Sequence, residues 1–343
     1  MKQKDIQLSE IRFAIVGAGR IGMRHAEKIQ EVGKLTAFCD TDPEKRSFVS
    51  SQFGIKAFKT INDMFEEVEN IDVVAICTPN GLHKEHTVSC LNANAHVICE
   101  KPMALSSSDC QEMIDCAKER QRHLFVVKQN RFNPPIVKLK EAIDRNKFGK
   151  ILSVQLNCFW NRGEDYYIND PWKGTKLLDG GSLYTQFSHF LDLLLWLVGP
   201  IESVQAMHAN FLHDDIEFED CGAAIMKFKN GAIGGVSFTL NSFRKNMEGS
   251  ITLFGELGTA KIGGQYLNEV EYEEFEDFSF GSIEAGNGAN EYGHYQGSMS
   301  NHLDVYKNVV DVLSDKASVA TTGAEGKATV ELIETIYANA MNN

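Results

Sequence analysis

The 343-residue chain has no apolar run approaching the ~18–20 residues needed to cross a bilayer. The longest, FLDLLLWLVG, is interrupted by Asp192. The opening stretch, MKQKDIQLSE, is polar and lacks the apolar region of a signal peptide. A cytoplasmic protein with no membrane partner is therefore expected. There are eight cysteines but no CxxC pair, and Cys39, Cys77 and Cys99 fall in apolar, strand-like runs. That pattern reads as small buried hydrophobes in a reducing compartment, so neither disulfides nor a metal are expected. Basic residues are also short: 34 Lys and Arg against 47 Asp and Glu leave a net charge of −13, which argues against nucleic acid as a partner. An anionic ligand would need a local basic pocket. No internal repeat and no low-complexity linker interrupt the chain. At this length and 43% hydrophobic content, two globular domains are expected.

The segment IRFAIVGAGRIGMRHAEKIQEVG reads as a strand from Ile11 to Val16, a tight turn and a helix. The runs LTAFCD, IDVVAICTPN, HVICEKP and HLFVVKQNRF follow, with helical segments between them. Alternating strands and helices predict a parallel sheet with right-handed crossovers, an N-terminal Rossmann domain over residues 1–148. From Gly149 the pattern changes to long alternating strands: SVQAMHANF, CGAAIMKFKNGAIGGVSFTL and EGSITLFGELGTAKIGG. They predict an α+β domain over residues 149–343 with a large, open, mainly antiparallel sheet. Its last helical segments are candidates to pack back on the first domain. The acidic, then Gly- and Asn-rich stretch EYEEFEDFSFGSIEAGNGANEYG reads as an exposed loop.

The turn Gly17-Ala18-Gly19-Arg20-Ile21-Gly22 is a GxGxxG, weak evidence alone but here placed between a strand and a helix. Gly17 permits the turn, Gly19 lets the backbone approach a pyrophosphate at the positive end of the helix, and Gly22 allows close packing. Asp40 ends the next strand, where a carboxylate accepts from a ribose diol and repels a 2′-phosphate. NAD is expected over NADP, with Lys45 and Arg46 keeping NADP as an alternative. Ligands of open parallel sheets sit at the carboxyl ends of the strands, which places Thr78, Asn80 and His83, then Glu100, Lys101 and Pro102, beside the nicotinamide. Lys101 is the candidate to bind a substrate hydroxyl and share its proton.

In DGGSLYTQFSHFLDLLLWLVG, Gly180-Gly181 opens a helix with one apolar stripe, and Thr185 and His189, four apart, share a face. A histidine facing the lysine is a candidate general base. Just upstream, WNRGEDYYINDPWKGTK interleaves Trp160, Tyr166, Tyr167 and Trp172 with Arg162, Lys173 and Lys176, a combination that can stack on a sugar and hold an anion.

Together, GxGxxG, TPNGLH, EKPMAL and the late histidine resemble the glucose-fructose oxidoreductase / inositol dehydrogenase / rhizopine catabolism (Gfo/Idh/MocA) family over essentially the whole chain. Within it, YYINDPWKGTKLLDGGSLYTQFSHFLDLLLWLVGPIESV, IEFEDCG and NMEGSITLFGELGTAKIGG are most similar to the bacterial UDP-N-acetyl-glucosaminuronate 3-dehydrogenases. The family often carries an aspartate four residues before the histidine; here Thr185, followed by Gln186, stands there. The resemblance implies NAD-dependent oxidation of the C3 hydroxyl of a UDP-sugar, on the way to a 2,3-diamino sugar of a surface polysaccharide. It implies catalytic roles for Lys101 and His189, either of which is a candidate base. It gives Trp172 and Lys173 to the cofactor, and Arg162, Tyr166, Tyr167, Thr185 and Gln186 to the sugar nucleotide. It also implies a homo-oligomer, dimer or tetramer, paired through the open sheet face. Some relatives recycle NADH with 2-oxoglutarate, and the residues leave that open here. Two alternatives stand beside this reading: a dehydrogenase of another sugar or cyclitol, and a non-catalytic sensor.

Overall fold

A computed structural model describes residues 10–284, 286–291 and 296–342. The chain forms two compact units, one of residues up to Val127 with His302–Lys327, the other of Lys128–Asn301 with Ala328 onward.

The first unit is a six-stranded parallel sheet in the order β3-β2-β1-β4-β5-β6. The strands are β1 (Arg12–Val16), β2 (Lys34–Cys39), β3 (Lys56–Phe58), β4 (Val73–Ile76), β5 (His96–Cys99) and β6 (Leu124–Val126). The crossovers run through α1 (Arg20–Val32), α2 (Pro43–Phe53), α3 (Ile61–Glu67), α4 (His83–Asn92) and α5 (Ser107–Glu119). Every residue of β4 is buried, as expected for a strand covered by helices on both faces. The chain reverses direction across the sheet between β1 and β4, which is where doubly wound sheets open a ligand crevice. Helix α1 buries Gly22, His25, Ala26, Ile29 and Val32, one stripe at helical spacing.

The second unit begins with α6 (Pro134–Asp144). It holds an eight-stranded sheet in the order β13-β12-β11-β7-β10-β9-β8-β16. The strands are β7 (Ile151–Phe159), β8 (Ile201–Ala209), β9 (Cys221–Phe228), β10 (Ile233–Thr239), β11 (Glu248–Gly255), β12 (Gly258–Gly263), β13 (Glu269–Phe275) and, beyond the small β14 (Ala289–Glu291) and β15 (Gln296–Met299) pair, β16 (Ala340–Asn342). Pairing is antiparallel except between β7 and β10 and between β8 and β16. The division at Val127 precedes the change of pattern at Gly149 because α6 packs against β12 and so belongs to the second sheet. One face of that sheet buries Val154, Leu156, Cys158, Met226, Val236 and Phe238, whereas Met207, Ile225, Ile233 and Phe254 on the other are exposed.

Two expectations need correcting. The acidic stretch read as a loop begins as strand β13, whose glutamates and place at the end of the strand order suit a protected sheet edge; residues 285 and 292–293 of that stretch lie outside the described residues. The single helix expected from Gly181 is two, α8 (Ser182–Thr185) and α9 (Ser188–Val198), after the short α7 (Glu164–Ile168). The break at Gln186–Phe187 removes the shared helical face on which Thr185 and His189 were paired. Two helices precede β16: α10 (His302–Leu313), which packs against α1 within the first unit, and α11 (Gly323–Ala338).

Candidate active site

In the first unit the glycine turn has the geometry of a phosphate cradle. Gly17 has φ +101°, and a Cβ there would lie 2.5 Å from the Cys77 carbonyl oxygen. A Cβ on Gly22 would lie 2.0 Å from the Gly17 carbonyl oxygen, while one on Gly19 would meet nothing within 4 Å. Two of the glycines are thus required by the protein's own backbone and the third keeps open space before the N-terminus of α1, where no side chain caps the helix. Arg20 and Ile21 form its first turn.

Asp40 stands just past the end of β2. Its Oδ2 accepts from the Ala18 amide at 2.7 Å and its Oδ1 from the Asp42 amide at 2.9 Å, so the carboxylate also ties the glycine turn to the second strand end. Arg46, weighed as a partner for a 2′-phosphate, donates its Nη1 to the Asp40 and Thr41 carbonyls, each at 2.8 Å.

His83 joins the two strand-end loops. It is 1% exposed, its Nδ1 lies 2.7 Å from the Pro102 carbonyl and its Nε2 2.9 Å from the Thr78 carbonyl. The ring staples the loop after β4 to the loop after β5, and burial holds its pKa below the usual value against the pull of those carbonyls. Thr78 pairs its hydroxyl with His86 at 3.0 Å, and Asn80 is buried in a 3₁₀ turn. Glu100 departs from expectation by turning inward. At 5% exposure, its Oε1 lies 2.8 Å from His25 Nε2 and 3.4 Å from His302 Nε2. Burial opposes its charge, but these histidines outweigh burial and hold the carboxyl well below its usual range. Its Oε2 accepts from the Lys101 amide at 3.0 Å. Lys101 itself is half-buried.

In the second unit, α9 carries His189, which is 3% exposed with its Nε2 3.3 Å from the Gln129 amide nitrogen. The same amide nitrogen reaches Ser298 Oγ at 3.0 Å. Thr185 donates its hydroxyl to the Asp179 carboxylate. Arg162, expected in a local basic pocket for the sugar nucleotide, is 2% exposed. Its Nε donates to Gln186 Oε1 at 2.7 Å and its Nη1 to Asn246 Oδ1 at 3.1 Å. Gln186 donates in turn to the Tyr166 hydroxyl at 2.7 Å. Three residues assigned to the sugar nucleotide therefore hold one another, and the guanidinium lies over the Trp160 and Tyr166 rings at 5.0 and 5.3 Å. Tyr167 meets Tyr166 edge-on, and burial raises its hydroxyl pKa. Lys173 is buried, 2.8 Å from Asp170 Oδ2 and 3.6 Å above the Tyr166 ring centre. Trp172 is half-buried and Lys176 exposed.

The reading of the sequence missed Gln129, Asn246, and the buried group of Asp192 with Lys128 at 3.3 Å and Arg131 at 2.8 Å. The signal for Gln129, Lys128 and Arg131 was available: KQNR follows an apolar strand, as EKP does.

Two family descriptions match the chain: an oxidoreductase family with an NAD-binding Rossmann fold over residues 11–128, and the GFO/IDH/MocA C-terminal domain over residues 136–261. Among solved structures, the WlbA dehydrogenase of Bordetella pertussis in complex with NADH and UDP-GlcNAcA is 35% identical, with TM-score 0.86 and 96% of each chain covered. The WlbA dehydrogenase of Chromobacterium violaceum, with the same two ligands, is 36% identical, with TM-score 0.87, covering 96% of this chain and 93% of that one. A myo-inositol 2-dehydrogenase of Thermotoga maritima is 27% identical over 263 residues, 72% of this chain and 74% of that protein.

Proposed function

Since the chain belongs to the GFO/IDH/MocA oxidoreductase family and is an NAD-dependent sugar oxidoreductase, we propose that its substrate is a UDP-linked uronic acid sugar, UDP-N-acetyl-glucosaminuronate, oxidised at the C3 hydroxyl. The observation that carries this reading is the contrast in identity. The two WlbA dehydrogenases with NADH and UDP-GlcNAcA stand at 35% and 36% over 96% of this chain, whereas the inositol dehydrogenase stands at 27% over 72%.

Bound NAD⁺ supplies the hydride acceptor. What the chain must add is a seat for the cofactor, a grip on the alcohol and a group that takes its proton. The Gly17–Gly22 turn and Asp40 form the seat. Lys101 is assigned to the reacting hydroxyl, where an ammonium favours a developing alkoxide. His189 is assigned as proton acceptor, with Lys101 the alternative, and its ring is assigned its orientation by the Gln129 amide. Trp172 and Lys173 are assigned to the cofactor, and Tyr166, Tyr167 and Gln186 to the sugar nucleotide. Arg162 is assigned to holding Tyr166 and Gln186 in place rather than to the anion itself. Pairing of copies through the open sheet face is proposed on the exposure of Met207, Ile225 and Ile233 there.

The test is incubation with NAD⁺ and a panel of UDP-N-acetyl-glucosaminuronate, UDP-N-acetyl-glucosamine, free sugars and inositol, read by mass spectrometry for loss of two hydrogens. Oxidation of the UDP-uronate alone is expected. Preference for inositol or a free sugar defeats the substrate assignment. Full turnover in folded Lys101→Ala or His189→Ala, where a loss of about 10²–10⁴ is expected, removes that residue from proton transfer.

A further inference from the structure

The first unit contains a buried chain of side chains that the reading above does not use. It starts on α1, the helix opened by the glycine turn, and ends at the backbone of Lys101. Tyr306, from α10, places its hydroxyl 2.6 Å from His25 Nδ1. His25, in α1, places Nε2 2.8 Å from Glu100 Oε1. A carboxylate can only accept, so this nitrogen carries the proton. The other carboxylate oxygen, Oε2, accepts from the Lys101 amide at 3.0 Å. His302, also on α10, stands 3.4 Å from Glu100 Oε1. His25 and His302 are each 1% exposed, Tyr306 0% and Glu100 5%, so water does not compete for these bonds.

A buried carboxylate is costly unless its oxygens are occupied, and here both are. One is held by the cofactor-binding helix and the other holds the residue assigned to the substrate hydroxyl. We propose that His25 is a positioning residue: through Glu100 it fixes the backbone of Lys101, with Tyr306 fixing the His25 ring, so that the cofactor-binding helix and the catalytic lysine keep one geometry. Sub-ångström placement of a catalytic group is worth large factors in rate. The bond from His25 is charge-assisted, and its loss is expected to cost about ten- to a hundredfold in the order it maintains.

The inference rests on the assignment of Lys101 for its effect on rate, but the hydrogen-bond chain can be tested without cofactor or substrate. Amide hydrogen exchange of Lys101, read by ¹⁵N NMR on the full chain, is expected to accelerate about ten- to a hundredfold in His25→Phe, with Val97 and Ile98 of β5 unchanged. His25→Gln, which keeps a donor toward Glu100, is expected to return Lys101 protection toward that of the parent. In turnover, His25→Phe is expected to lower kcat by a similar factor while NADH affinity stays within about twofold. Unchanged Lys101 exchange in folded His25→Phe overturns the proposal, as does a loss in kcat that merely follows a loss of NADH affinity or that His25→Gln fails to relieve. If His25→Phe does not fold, Tyr306→Phe decides by the same exchange measurement: an acceleration of about threefold to tenfold supports the chain and none overturns it. Accelerated exchange in His25→Phe together with full activity of Lys101→Ala overturns the catalytic assignment of Lys101 instead.

Discussion

The two units build their parts of the candidate site in different ways. In the first, the functional groups stand on backbone: a glycine turn, a strand-end aspartate, and a lysine whose amide is clamped by its own neighbour. In the second they stand on side chains that hold other side chains, Arg162 with Gln186 and Tyr166, Gln129 with His189, Thr185 with Asp179. Backbone geometry is set by a few consecutive residues and survives most substitutions outside them. A side-chain network joins residues far apart in sequence, and losing one member leaves the others buried without partners. The first unit should therefore fail sharply at a few positions, and the second by the propagation of local losses.

The largest effect is expected at Gly22. Alanine there brings a Cβ to 2.0 Å from a backbone oxygen, a strain of about 3 kcal/mol, relieved only by moving the turn. Gly22→Ala should lower NADH affinity about a hundredfold, measured by fluorescence titration. Gly19→Ala, which meets nothing within 4 Å, should keep the parent melting temperature. Gly22→Ala should also lower the melting temperature; if it keeps the parent value as Gly19→Ala does, the backbone account of the first unit is wrong.

Next is Arg162→Ala. It leaves Gln186 Oε1 and Asn246 Oδ1 buried without this donor and should cost about 2–3 kcal/mol of stability, measured by urea unfolding. Turnover should fall as Tyr166 and Gln186 lose their support. A variant of unchanged stability with only a raised Michaelis constant would return Arg162 to direct anion binding.

Asp40→Ala should narrow the preference for NAD over NADP by about tenfold, the order of one charge-assisted bond, read by titration with both reduced cofactors. Tighter binding of NADPH to the unaltered protein would overturn the role of Asp40.

The smallest effect is one of pH. Burial, with His123 and Arg122 nearby, pushes His96 down to about 4, and its Nδ1 accepts from the His123 amide. A histidine whose folded pKa is depressed adds stability above its unfolded value, near 6.5, and that stability is lost as pH falls toward about 4. Allowing for solvent screening of a partly exposed group, the loss is on the order of 1 kcal/mol. Burial lowers buried His83 and His302 as well, in the same sense. In the second unit, Asp192 is opposed by burial but held down by Lys128 and Arg131, so its stabilisation is lost only as pH falls through and below the usual carboxylate range, while burial raises Glu219, whose folded form acid favours. Acid should loosen the first unit before the second, as hydrogen exchange at pH 5 would show. The reverse order would mean that the described histidines do not govern acid stability.

How much was legible follows the same division. GxGxxG between a strand and a helix, an aspartate at the next strand end and EKP after a buried strand are local patterns, and the elements lie where the patterns put them, within a residue or two. Spacing failed where tertiary partners intervene. Thr185 and His189 were paired by helical periodicity, yet the helix breaks at Gln186, the residue drawn to Arg162 and Tyr166. His83 and Glu100 were correctly placed at strand ends, but strand-end position does not say which way a side chain turns.

The sequence by itself determined the parallel sheet, the glycine turn before α1 and the position of Lys101, because strand periodicity, glycine's freedom at positive φ and the direction of crossovers act between near neighbours. Only the tertiary structure decided that Glu100 faces His25 and His302, that Arg162 is interior and that Gln129 meets His189. Those pairings join residues from 24 to 202 positions apart, as in Arg162–Gln186 and Glu100–His302. Their energies depend on burial, which removes water as the competing partner, and burial exists only once the chain has folded.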